Sequence, residues 1–417
     1  MTAILGNQGK AGTPKTTTPT RGQAASSTPG PAVVPGAAQP KAKSPVTDYD
    51  AYYKAQKDVS EAQLGLDLNL LRGLKDWLGA EQALTAYLKY HAKHAAPWML
   101  GLLGDAMEIN KRDPAAIKVL FGRYARLAST SKDPIALIAA CDALLAHDYY
   151  EIDVPAGIAG PGKIRLVDLL DQAMKASPQK PHPILMSLVL AERQKDPKRM
   201  ADSAETLLSL GWPGVDGAWR IEIPKRVSAL AKILRDDGRA AEAKELTDRL
   251  PGLDARDVVI RLTWDRGGIL DLVVDEPLGA TADHFNQRTV FGGALVKEGK
   301  PRDREAVYVC PRAFDGDYVA KVKIVFNDEK NPTTLASLEL VTHEGTAEEK
   351  VITKRISLAK PETVAITLKG GRRKAVLPFE VVNVILAPKP ELAAPRLDPA
   401  KVAPATTTPA KPGPKKP

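Results

Sequence analysis

Along residues 46–250 the apolar side chains return every three or four positions. Leu64, Leu68, Leu71, Leu74 and Leu78 draw one such stripe, and Ile117, Leu120, Tyr124 and Leu127 draw another. This spacing follows the 3.6-residue turn and predicts amphipathic helices that pack through one face. Asp113-Pro114, Asp133-Pro134 and Asp196-Pro197 each stand just ahead of a stripe of this kind. An aspartate at a helix cap accepts a bond from an orphan backbone N–H, and proline at the first helical position presets φ, so the three pairs predict three helix starts. Further on, Val227, Leu230 and Leu234 lead through Asp237-Gly238-Arg239 into Ala240, Ala243, Leu246 and Leu250, which reads as a helix, a turn and a second helix.

At about Asp254 the period drops from 3.6 to 2. Val258, Ile260, Leu262 and Trp264 alternate with other positions, as do Tyr318, Ala320, Val322, Ile324 and Phe326 against Lys321 and Lys323. Ile352, Ile356 and Leu358 share a face that Lys354 interrupts, and further runs lie near 269–275, 305–310, 334–343, 363–369 and 373–386. Seven or eight short alternating runs with no helix between them predict an antiparallel β-sandwich. The expected fold is therefore an all-α helical-repeat region over 46–253 followed by an antiparallel β-sandwich over 254–387.

Composition adds two tails to this picture. Residues 1–45 hold seven prolines among Thr, Ala, Gly and Ser, and residues 388–417 hold nine among Lys, Ala and Thr. Such segments bury too little apolar surface to offset the entropy of ordering, so both are expected to be disordered basic tails. The net charge is +9, yet the first tail carries five basic residues and no acid, and the second carries six against Glu391 and Asp398. The tails thus account for the whole excess and leave 48 basic against 48 acidic residues between them. A nucleic-acid binder shows its basic excess on the folded face that follows phosphates, so no nucleic-acid partner is expected. Cys141 and Cys310, the two cysteines, fall in different predicted regions, which excludes a disulfide framework. No apolar run is long enough for a transmembrane helix. No signal peptide is visible at the start, so the expectation is cytoplasmic, or the cell envelope if the true start lies upstream.

Candidate chemistry is sparse. Gly157 to Lys163, GIAGPGK, matches a phosphate loop as far as the lysine, but Ile164 stands where a hydroxyl would hold magnesium and Pro161 removes a donor. It reads as a Gly-Pro connection between helices. His91 and His94 lie three apart without a third ligand at a suitable spacing, so no metal is expected there. No serine-hydrolase elbow, zinc-protease motif or Cys–His pairing is present, and no catalytic residue and no cofactor are nominated.

Two segments resemble known families. GRAAEAKEL at 238–246 resembles the second half of a tetratricopeptide repeat, without a strict 34-residue period along the chain. LTWDRGGILDLVVDEPLG at 262–279 resembles a bacterial β-sandwich domain of unknown function that accompanies tetratricopeptide repeats or von Willebrand A-type domains. Leu262, Trp264, Asp271, Leu272, Val274, Glu276, Pro277 and Gly279 carry that resemblance, which extends over about 255–387. It implies a fold rather than an activity. Ile269 stands where the family has the first acid of an Asp-x-Asp pair. Asp271 and Asp275 share a strand face but lie roughly 13 Å apart, too far to chelate one cation. They read as solvent-facing strand positions, and Trp264 and the phenylalanines as core.

Asp283 to Gly293 is the candidate ligand loop, because it places Asn286 and Arg288 among glycines, and loops on rigid scaffolds carry binding. The candidate ligand-binding residues are Asp271, Asp275, Glu276, Asn286 and Arg288. The expected function is a non-enzymatic scaffold that binds another protein through the helical repeats, with the sandwich as a docking module. The alternative is an envelope or surface protein whose sandwich recognises a glycan.

Overall fold

The computed structural model describes residues 46–377, apart from 47, 57–58, 158–159, 300–302, 328, 331 and 358–361. Both predicted tails, and the strand expected over 373–386 beyond residue 377, lie outside the described residues.

The first half is helical: α1 (Tyr49–Ala55), α2 (Glu61–Gly73), α3 (Trp77–Tyr90), α4 (Pro97–Ile109), α5 (Pro114–Ser131), α6 (Pro134–Ala146), α7 (Leu166–Ala176), α8 (Pro181–Gln194), α9 (Pro197–Leu208), α10 (Asp216–Asp236) and α11 (Ala240–Asp248). All three Asp-Pro starts are present. Asp113, Asp133 and Asp196 each accept a bond from a first-turn N–H, of Ala115, Ile135 and Arg199, at 3.2, 3.0 and 3.0 Å. From α2 onward every helix packs on its successor, and α4 with α6, α6 with α8 and α9 with α11 pack as second neighbours. Contacts confined to near neighbours in sequence are the mark of a stacked helical array.

Two features depart from the expectation. The stripe from Leu64 to Leu78 belongs to two helices, because the chain turns at Leu74–Asp76 with Lys75 at φ 56°. Asp76 then caps α3, so Leu78 lies on that helix and is exposed. The helical run is also interrupted by an antiparallel hairpin, β1 (Glu151–Val154) and β2 (Gly162–Arg165). Gly162 and Lys163, expected in a plain connection between helices, thus lie on the return strand of a hairpin inserted between α6 and α7.

The second half is a two-sheet sandwich. One sheet has the order β10 (Lys350–Ile356), β9 (Ala336–Glu344), β3 (Arg256–Trp264), β7 (Glu305–Cys310) and β6 (Ala294–Glu298). The other has the order β11 (Glu362–Leu368), β8 (Gly316–Phe326), β4 (Ile269–Asp275) and β5 (Thr281–Ala282). Neighbours are antiparallel throughout. The inward set Val258, Ile260, Leu262 and Trp264 meets Leu270, Leu272 and Val274 across the core, and the alternation predicted this pairing of faces. Tyr318 is buried in that core and donates to the carbonyl of Phe314 at 3.2 Å, which fixes the turn feeding β8. On the outward face of the larger sheet Val259, Val307, Val309 and Val341 form a second apolar stripe. Arg261 pairs with Glu339 and Glu344 on the same sheet, and Gly211, between α9 and α10, packs over Val309, where a Cβ would come within 3.1 Å of its Cγ2.

Candidate functional site

The loop between β5 and β6 has an inner side, set against the helices, and an outer side. The inner side is built on Glu276, the first residue after β4. Its Oε1 accepts from the Thr289 hydroxyl at 2.6 Å and from the Tyr308 hydroxyl at 2.8 Å. The carboxyl is buried, and Oε2 has no hydrogen-bond partner. Burial pushes its pKa up, and the two hydroxyl bonds and the nearby Arg373 only partly offset this. Gly293 lies flat over the pair: a Cβ there would stand 2.1 Å from the Tyr308 oxygen and 2.3 Å from Oε1. Glu276 thus joins the β4–β5 turn, the loop and β7.

Beyond the glutamate the loop runs onto the helical array. The Arg288 guanidinium lies 4.0 Å from the centre of the Trp212 ring and donates to the carbonyl of Gln179. A desolvated arginine over an indole face is a favourable cation–π contact. Gly211 N–H donates to Gly292 O at 3.0 Å, and Gly214 N–H to Val296 O at 3.3 Å, so the α9–α10 connection bonds to the edge of β6. Arg373 donates to Ser209 O at 3.1 Å and to Arg312 O at 2.8 Å. Glu205 on α9 accepts from Arg312 and from Arg249, both at 2.6 Å. Those two bonds, Arg312 first, hold its carboxyl below the usual range. Asp257, buried at the start of β3, accepts from Arg372 and from the Ala313 N–H. These contacts make a seam between the helices and the sandwich.

The outer side carries the remaining nominated residues. Asp271 meets His284 Nδ1 at 3.3 Å, and Asp275 accepts from Thr281 at 2.9 Å and pairs with Lys321. Both aspartates are engaged by side chains, where simple hydration was expected. Asn286 donates to Thr281 O at 2.8 Å, while Asp283 accepts from the backbone of Phe285 and Asn286. These bonds shape a tight turn at whose apex Phe285 is 88% exposed, its ring 3.7 Å from that of His284. Phe285 and Phe326 are thus surface residues, contrary to the core assignment of the phenylalanines; Trp264 is core as expected. The five nominated residues fall into two groups, Glu276 and Arg288 in the seam and Asp271, Asp275 and Asn286 on the outer side.

Thr289 and Gly293 fall inside the candidate loop without being singled out there, and sequence patterning gave no role to Tyr308, Arg373 or the Glu205 cluster, whose partners lie far apart along the chain. Phe285 did leave a signal, as one large apolar residue inside the polar run Asp-His-Phe-Asn-Gln-Arg.

Elsewhere the chemistry is quiet. His91 is buried, with Nε2 3.2 Å from Tyr53 O, and packs against the rings of Tyr53 and Tyr87. Cys141 and Cys310 are both buried, and desolvation raises both thiols well above the usual range, the opposite of what a nucleophile needs. Among the described residues no group of three or more His, Cys, Asp or Glu side chains could hold a metal ion, and no helix is long and apolar enough to cross a membrane. What the fold defines is a helical array joined to an antiparallel sandwich. No family model matches the chain, and no curated protein and no solved structure matches it.

Proposed function

We propose that this protein is a non-enzymatic interaction scaffold that holds a protein partner on its helical array. The observation that carries the reading is an uncovered apolar face on α2. Ala62, Leu66 and Leu70 recur at the i, i+4, i+8 spacing, with Leu66 65% and Leu70 46% exposed, while Leu64, Leu68 and Leu71 on the opposite side are buried. A helix with apolar residues on both faces has more to bury than its neighbours in the chain provide. The seam supports the same reading, because it lets the sandwich and the helices present a partner with one fixed arrangement of surfaces. In this reading the sandwich is the docking module.

The second reading, a surface protein whose sandwich recognises a glycan, is favoured by Phe285 alone. An exposed ring beside His284 and Asn286 is the kind of face on which a sugar ring stacks. The test uses full-length protein throughout. Partners retained from lysate are identified, purified and titrated against wild type, Leu66→Glu/Leu70→Glu and Phe285→Ala. Loss of binding in the α2 variant supports the scaffold. Polysaccharide binding that Phe285→Ala abolishes replaces it with the glycan reading. A partner bound equally by all three proteins sinks both.

A further inference from the structure

α6 is apolar on every side. Its sequence, PIALIAACDALLA, carries Asp142 as the one charged residue, and Ile135 is 71% exposed. A helix of this composition is ordinarily enclosed, and here one side is not. Ile135, Ala139, Asp142 and Ala146 recur at i, i+4, i+7 and i+11, and all are exposed. The same steps on α4 give Trp98, Leu102, Asp105 and Ile109, exposed except for the half-buried Leu102. On α2 they give Ala62, Leu66, Asn69 and Gly73, again exposed.

Contacts between the helices set these stripes side by side. Trp98 Nε1 donates to Glu61 at 2.6 Å, which brings the start of α4 to the start of α2. His147, the residue after α6, has Nδ1 3.2 Å from Glu108 near the end of α4, and α4 and α6 pack along one another. The three helices therefore run parallel, and since each is 13 residues long their stripes stay in step. Asp105 and Asp142 each stand ninth in their helix. Their common neighbour is Tyr124 of α5, packed under Gly101, where a Cβ would come within 3.2 Å of its ring. Burial first, and then neighbours that include Asp105 and Asp142, push the Tyr124 hydroxyl up to about 12. Beyond α6 the row ends, because the equivalent residues of α8, Met186 and Val189, are buried.

The charge on this face has one sign. α4 and α6 carry Asp105, Glu108 and Asp142 and no basic residue. Glu108 is taken by His147. Asp105 makes no hydrogen bond or ion pair among the described residues, and Arg72 and His147 act on it only from a distance. Its desolvating surroundings first, and Glu108 second, push its carboxyl pKa up, as befits a carboxylate without a close counter-ion. Asp142 faces His182, with Nε2 at 3.9 Å. We propose that the face made by α2, α4 and α6 binds a peptide segment of another protein in which lysine or arginine stands among apolar residues. This names the partner of the scaffold reading and rests on it. The apolar side chains of the segment cover Leu66, Trp98 and Ile135, and its basic groups reach Asp105 and Asp142. Complementary charge then selects the segment and fixes its register, while the apolar surface holds it.

Selection of a random dodecapeptide phage library on the full-length protein tests this, with the enriched peptides then synthesised, labelled and titrated by fluorescence anisotropy. The expected peptides hold lysine or arginine between apolar residues. Their affinity falls at least about tenfold in Asp105→Asn/Asp142→Asn, and likewise in the neutral variant Leu66→Gln/Leu70→Gln. Glu245→Gln, which removes an exposed acid on α11, keeps the affinity. Sodium chloride weakens binding to wild type and leaves the residual binding of the aspartate variant unchanged, a response that lost structure alone would not give. Circular dichroism melts establish that each variant is folded. Peptides weakened by the leucine variant but not by the aspartate variant overturn this proposal and leave the scaffold reading standing. The absence of any peptide that responds to either variant overturns both. Two further outcomes give the face to this chain itself and equally overturn the proposal. One is a concentration-dependent dimer in light scattering that Leu66→Gln/Leu70→Gln dissolves. The other is a synthetic peptide of residues 388–417 that binds more tightly than any selected peptide.

Discussion

Lys354 Nζ lies 2.9 Å from Glu362 Oε1 and joins the two sheets of the sandwich across its open side. Both residues occupy inward-facing register positions, Lys354 opposite Leu338 and Glu362 opposite Val322. Lys354 interrupts an otherwise apolar face in the sequence, and the pairing supplies the reason: it sits where the core ends and β10 becomes an edge. An inward-pointing charge on an edge strand makes it a poor template for another strand. Lys354→Val is therefore expected to change the melting temperature little, since a half-exposed pair contributes about 0–1 kcal/mol. Self-association should rise, through Val351, Ile352 and the new valine, and light scattering against concentration reads this. A variant as monodisperse as wild type counts against a protective role.

Glu276 makes stability depend on pH in an unusual direction for a carboxylate. Its folded pKa is raised, chiefly by burial. Its contribution is therefore fully present below the unfolded pKa of an ordinary glutamate and is lost as pH rises through the folded value. Above that range the protein holds a buried carboxylate with one oxygen unpartnered. Glu276→Gln removes this titration, so its urea-unfolding free energy should stay flatter than wild type as pH increases from the acid range to neutrality. Parallel curves for the two proteins would show that the carboxyl does not titrate differently on folding.

Gly293 tests the same cluster by volume. Gly293→Ala places a methyl where the Tyr308 hydroxyl and Glu276 Oε1 already stand. Overpacking of this kind costs about 1–3 kcal/mol. The expected signature is a lower denaturant midpoint with an unchanged m-value, and an unaltered midpoint would mean that the loop lifts away without penalty.

Glu205 has the opposite sign. Its pKa is lowered, first by the bond from Arg312 and then by that from Arg249. The stabilisation is present above the unfolded pKa and disappears as pH falls through the folded value. Glu205→Ala should cost about 1 kcal/mol near neutrality, a modest figure because all three side chains are roughly a third exposed. The difference between variant and wild type should vanish in acid. A difference that persists at low pH points to lost packing instead of charge.

The caps give local predictions. Asp113→Ala and Asp196→Ala each remove the acceptor for a first-turn N–H. Each should cost about 1 kcal/mol, while a serine at either position restores most of it. Thermal melts of the two pairs of variants decide this.

Where local chemistry determines an element, the sequence announces it. Each Asp-Pro pair carries its own cap, and β8 alternates from Tyr318 to Lys323 because one face meets a core. The stripe from Leu64 to Leu78 misled because periodicity survives a tight turn that preserves phase, and only Lys75 in the left-handed region reveals the break. β1 and β2 are four residues each and lean on α5 for their burial, so they lack a strong pattern of their own. β5, with two residues, is shorter than any readable period. Of the candidate site, the loop at 283–293 was visible through its composition. Its division into a seam and an exposed apex was not, because Glu276, Tyr308, Trp212 and Gln179 are brought together only by the tertiary fold.

The backbone bonds from Gly211 to Gly292 and from Gly214 to Val296 mean that the helical half supplies the last neighbour of the larger sheet. Separated from the helices, the sandwich would carry an uncapped edge at β6 and a valine stripe stripped of part of its cover. A proteolytic nick or a truncation between Asp248 and Arg256 would therefore do more than divide the chain. It would turn a shielded sheet into a surface that recruits its own copies, so the intact connection also acts as this protein's safeguard against aggregation.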